Sequence, residues 1–167
     1  MFQTVEGFLK SWKYETAATE RILDQLTDES LKQEITPDHW TLGQIAWHIV
    51  MAIPVIMSRA GLKFEAPMED LPVPTSAKFI ADSYRQVTAA FMEAVKEQWT
   101  DESLKTINDF FGQPLPNSIF LQTLIAHQNH HRGQMTVLMR QAGLSVPGIY
   151  GPSKEEWAAA GMETPKM

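Results

Sequence analysis

Three of the chain's five histidines fall within five positions, in His127-Gln128-Asn129-His130-His131. On a helix, His127 and His131 stack one turn apart, and a neutral imidazole pair at this spacing can chelate one divalent cation. Phe120, Leu124, Met135 and Leu138 continue the same line at helical spacing, so both rings point along the face expected to be buried. His130 lies about 100° round the helix and falls outside the chelating face. A lone histidine on an apolar face is ordinarily a hydrogen-bonded core residue. A metal site therefore needs a third ligand from elsewhere in the chain.

That ligand is sought among the elements that could face this helix. Thr41-Leu42-Gly43-Gln44 has the form of a capping box. The helix it opens runs past Pro54, expected to kink it, to about Ala60-Gly61. Ile45, His48, Ala52 and Val55 share one of its faces, so His48 points inward and is the candidate third ligand. Three neutral imidazoles leave at least one coordination position open, the mark of a catalytic metal site. Gln128 stands where a His-Glu-x-x-His metalloprotease helix carries its general base, so a base must come from elsewhere. Glu15 is the candidate.

Glu15 belongs to a first helix, about Val5 to Leu26, whose seam reads Val5, Phe8, Trp12, Glu15, Thr19, Ile22 and Leu26. The polar middle of that seam is read two ways. A slight rotation leaves Glu15 and Thr19 solvated, or they face a polar pocket inside the fold. The third helix runs from Ser76 to Gln98, after a proline-rich connection (62–74) long enough to cross the molecule and lie over one end. Trp99 to Pro116 is expected to be irregular; residues 106–111, followed by Gly112 and Pro114, could form a short extended piece, but no sheet is expected. The fourth helix starts after Pro116 with Asn117 or Ser118 as cap and stops at Gly143. Ser153 can cap a last short helical piece. The expectation is an all-α four-helix bundle, one domain over residues 1–167, with a long crossover between helices two and three.

Composition narrows the function classes. A net charge of −6 and the lack of a Lys/Arg cluster argue against nucleic-acid binding. No cysteine is present, which removes disulfides, thiolate ligands and a Cys nucleophile. No signal peptide is read at the N-terminus, and the most apolar stretch, 46–57, is interrupted by His48 and Pro54. A soluble, cytoplasmic protein is expected, with no membrane partner.

His127-x-x-His130-His131-Arg132-Gly133-Gln134, with Leu138-Met139-Arg140-Gln141-Ala142-Gly143 after it, resembles the signature helix of the DinB/YfiT-like superfamily. Residues 37–49, ending in His48 and Ile49, resemble its second-helix motif, and Ile149-Tyr150-Gly151-Pro152-Ser153 a common ending of its members. The resemblance implies a four-helix bundle, usually a homodimer, with His48, His127 and His131 holding a divalent ion, commonly zinc or nickel. It also implies a range of reactions, among them thiol-dependent S-transfer and a mycothiol-dependent isomerisation. Three functions follow as expectations: a metal-dependent transferase joining a low-molecular-weight thiol to a small-molecule substrate, a non-catalytic metal- or ligand-binding bundle of the stress response, and a metal-dependent hydrolase.

Overall fold

In the computed structural model, which describes residues 1–67, 70–163 and 165, four long helices surround one buried core. They are α1 (Val5–Leu23), α2 (Leu42–Arg59), α3 (Ala77–Gln98) and α4 (Asn117–Gln141), with a short α5 (Lys154–Ala159) at the end. Helices α1 and α2 each pack against both α3 and α4, so α1 faces α2, and α3 faces α4, across the core.

Hydrogen bonds at the helix ends give the directions. The amide of Lys63, just past α2, donates to Gln98 Oε1 at the end of α3 (3.2 Å), and Gln98 Nε2 returns the bond to the Lys63 carbonyl (2.6 Å). The start of α3 lies at the opposite end, where the Ala77 amide donates to Asp28 Oδ1 beyond α1 (2.7 Å). Helices α2 and α3 are therefore parallel, and the connection between them crosses the length of the bundle, as expected. It descends along α3, with the Phe64 ring 5.6 Å from that of Phe91. Met68 and Glu69, in the segment expected to lie over one end, fall outside the described residues.

The helix boundaries follow the chemistry of their caps. Thr41 Oγ1 accepts from the Gln44 amide (3.2 Å), and Gln44 Oε1 accepts from the Thr41 amide (2.7 Å), closing the capping box that sets where α2 begins. Helix α2 continues through Pro54. It is long and apolar enough to cross a membrane, which the interrupted run did not suggest, but it is 61% buried as the core helix between α3 and α4. Helix α1 stops at Leu23, one turn earlier than the apolar seam, because residues 24–26 tighten into short i, i+3 turns that still bury Leu26. Helix α4 begins at Asn117 and stops before Gly143, whose φ of +75° is the left-handed position expected there. Its cap residue is Pro116, since the Asn117 side chain is used elsewhere: it donates to the Ser103 carbonyl (3.0 Å) and accepts from Asn108 (2.9 Å). Ser153 caps α5 as expected.

The segment expected to lack a sheet forms one. Strands β1 (Ile107–Phe110) and β2 (Gln113–Pro116) pair antiparallel, with Ile107 opposite Pro116 and Phe110 opposite Gln113. The two turn residues, Phe111 (φ 52°) and Gly112 (φ 89°), take the left-handed conformations that match the twist of a tight hairpin. Strand β2 carries two prolines, Pro114 and Pro116. A two-stranded ribbon tolerates them because each strand has an unpaired edge on which the missing N–H is not needed.

The polar middle of the α1 seam faces inward. Thr19 is fully buried and the Glu15 side chain keeps only 12% exposure, so the helix is not rotated to solvate them.

Candidate metal centre

His48 sits in the second turn of α2; His127 and His131 lie one turn apart on α4, which packs antiparallel against it. The three imidazoles meet between the helices. His127 Nε2 is 3.1 Å from His48 Nε2 and 3.2 Å from His131 Nε2, and one ligand nitrogen from each ring lies within 4.8 Å of the other two. Two nitrogens of a tetrahedral zinc ion with ordinary Zn–N bonds are separated by about 3.3 Å, so two of the three spacings already match a common centre. His130 points outward and is exposed, as its helical angle required.

The ring tautomers are partly set by neighbours. Gln134 Oε1 can only accept, so His131 Nδ1 carries the proton of their 2.7 Å bond. That leaves a bare lone pair on His131 Nε2, the atom facing the other two rings, as metal ligation needs. His127 Nδ1 is buried without a partner. Trp40 closes one side, with its ring centroid 4.9 Å from His48 and 6.3 Å from His131, nearly parallel to the latter.

Burial also keeps the rings neutral. It pushes His127 down to about 4, helped by repulsion from His131, His48 and His130. His48 is lowered by burial and then by His131; His131 is lowered by burial against the opposing effect of the Gln134 bond. Neutral imidazoles are the form that binds zinc or nickel. The donor set therefore fits a divalent ion: His48, His127 and His131 could hold one.

Glu15 does not join this group. Its Oε2 accepts from Arg132 Nη2 and from the Tyr150 hydroxyl (2.8 Å) on the α1 side of α4. Arg132, 1% exposed, also donates through Nη1 to the Glu15 carbonyl (2.7 Å) and Thr19 Oγ1 (3.1 Å), and through Nη2 to Asn129 and Tyr150. Burial and the Glu15 contact raise the Tyr150 hydroxyl to about 12, so it stays protonated and donates. Gln128, also fully buried, accepts from the Tyr84 hydroxyl of α3 (3.3 Å) and donates to the Ile49 carbonyl of α2 (2.9 Å). In the sequence, Arg132 and Tyr150 stand out only as members of the two resemblance motifs, with no role attached. The available signal was complementarity: a carboxylate on the seam of one helix requires a buried cation on another.

The whole chain, with this fold and these residues, is similar to known proteins. A model of the DinB family matches residues 1–167. The "Uncharacterized protein YrdA" of Bacillus subtilis (strain 168) is 65% identical over 167 residues, covering 100% of both chains. A crystal structure of a DinB-like protein from Bacillus cereus ATCC 10987 superposes with a TM-score of 0.87 at 71% identity, covering 90% of this chain and 100% of that one. A second DinB-like protein, YjoA of Bacillus subtilis, superposes with a TM-score of 0.68 at 15% identity, covering 88% and 99%, and bears on the fold alone.

Two outcomes are expected from this geometry. Metal-free protein should lose stability as pH falls from about 6.5, where the unfolded histidines take up protons, towards the folded value of about 4 for His127. In that window the unfolded chain binds more protons, so acid favours unfolding; urea titrations between pH 7.5 and 4 that gave a constant stability would contradict it. Glu15→Ala should cost about 3–5 kcal/mol by leaving the Arg132 guanidinium buried and unpaired. Adding Arg132→Met to that variant should restore much of the loss, and chemical denaturation reads both.

Proposed function

The chain belongs to the DinB family, and on that footing we propose that it is a divalent-metal-dependent enzyme that joins a low-molecular-weight thiol to a small-molecule electrophile, a C–S bond forming as the thiol gives up its proton and the electrophile its leaving group. The observation that carries this reading is the approach of His48 and His131 Nε2 to His127 Nε2 at 3.1 and 3.2 Å. Three imidazoles suit zinc or nickel. When bound, such an ion supplies Lewis acidity, which favours loss of a proton from a thiol or water that ligates it.

The chain's own residues do the rest. The three histidines would hold the ion without adding negative charge, which would leave its full charge to favour an anionic ligand. Gln134 keeps His131 in the ligating tautomer, and Trp40 shields the rings of His48 and His131 from water on one side. A chain without cysteine supplies no thiolate to the remaining coordination position, so a thiol there belongs to the substrate. The thiol reading is favoured over hydrolysis because no carboxylate joins the three-histidine group among the described residues. Glu15 serves here as a positioning residue. Its carboxylate holds Arg132, and Arg132 is the neighbour of His131 on α4.

Purified protein is expected to hold about one zinc or nickel ion per chain by elemental analysis. His127→Ala should abolish tight binding, and His130→Ala should leave it unchanged because that ring points away. Full metal retention in the combined alanine variant of His48, His127 and His131 would contradict the site. Conjugation of a thiol with monobromobimane should be accelerated only by metal-loaded protein; no acceleration with a range of cellular thiols would contradict the reaction.

A further inference from the structure

Two residues that touch the histidines also line a cleft on their far side. Trp40 and Gln134 form part of a cavity of about 490 Å³ between residues 35–40 and the last two turns of α4. Its floor is Ile45 and Leu138, both buried, and its rim includes Ile35, Trp40 and Val137, which are 61%, 50% and 50% exposed. Three large apolar side chains left in water around one cleft of small-molecule size mark a surface built to be covered.

The charge of the lining restricts the occupant. Among the described residues, no Lys or Arg lines the cleft, and Asp38 is its one carboxylate. His39 beside it is held through Nδ1 by the Thr36 hydroxyl. A carboxylate or phosphate entering here would face Asp38 with no Lys or Arg to pair with among the described residues, whereas an uncharged or cationic group would not be repelled. The Trp40 ring offers a flat face, which suits an aromatic or planar partner.

We propose that this cleft binds the electrophilic substrate through a flat apolar group that is uncharged or cationic. The proposal rests on the reading of the three histidines as the reaction centre. It places the apolar group of the electrophile against Trp40, one ring away from His48 and His131, so the reactive carbon extends past the edge of Trp40 to meet the thiol on the metal-facing side. Substrates with an anionic group on the apolar end are disfavoured by the same lining.

A matched series tests it: 2-naphthylmethylamine, 2-naphthalenemethanol and 2-naphthoate share one ring system and differ in charge. Each is titrated into metal-free and zinc-loaded protein, following the Trp40 indole N–H signal, which is assigned by its loss in Trp40→Phe. The amine and the alcohol should shift that signal in the metal-free protein, with 2-naphthoate roughly tenfold weaker or worse. Asp38→Asn should remove the advantage of the amine over the alcohol, and Val137→Asp should weaken the alcohol. Equal binding of naphthoate and amine, or no shift with any probe, overturns the proposal. So does a Trp40 indole buried by a second copy of the chain in a sedimenting dimer that excludes the probes. Zinc titration by calorimetry separates the two readings. Zinc binding without naphthalene binding contradicts the cleft alone, and naphthalene binding without zinc binding contradicts the metal centre alone.

Discussion

The rotation of α4 about its own axis is the constraint on which the site depends, and two buried polar side chains set it. Arg132 reaches α1 through Glu15 and Thr19, while Gln128 reaches α3 through Tyr84 and α2 through the Ile49 carbonyl. One strip of α4 thus touches all three other helices. His131 precedes Arg132 by one residue, so fixing the guanidinium against α1 turns His131 about 100° away, towards α2. Gln128 likewise follows His127, and its bond to the residue after His48 sets the register between the two ligand-bearing helices. A rotation of α4 large enough to disperse the imidazoles would leave a buried amide and a buried cation without partners, which is strongly disfavoured.

This arrangement also separates two electrostatic environments on one helix. On the α1 side, a guanidinium and a carboxylate neutralise each other, with the Tyr150 hydroxyl bridging them from the C-terminal segment. That segment is held down independently, since Tyr14 donates to the Ile149 carbonyl (2.7 Å) and Arg21 to the Gly148 carbonyl (3.2 Å). On the α2 side, burial holds three imidazoles neutral with their nitrogens directed at one another. Mutual repulsion would scatter three protonated rings, so the cluster is stable as neutral ligands and stronger still around a cation that accepts all three lone pairs.

Much of this was legible in the sequence because it depends on local spacing. The i, i+4 histidines, the capping box at Thr41 that sets the phase of His48, and the stop at Gly143 each follow from a few neighbouring residues. What was not legible depends on pairing between elements. Periodicity placed Glu15 on a seam, but not against Arg132, because it says which face of a helix is buried and not which helix it meets. Glu15, the candidate base, has its carboxylate engaged with Arg132 of α4. The hairpin was missed for a related reason. Pro114 and Pro116 lie opposite Asp109 and Ile107, a pairing that puts their missing N–H groups on the outer edge and that only the partner strand reveals.

The central claim is that α2 and α4 together present three imidazole nitrogens to one ion. X-ray absorption at the zinc edge, on protein carrying one equivalent of zinc, tests it most directly. The account predicts three imidazole nitrogens at about 2.0–2.1 Å, a remaining lighter ligand, and replacement of that ligand by one sulfur at about 2.3 Å when a thiol is added. A first shell with two or fewer imidazoles, or one dominated by carboxylate oxygens, would contradict it.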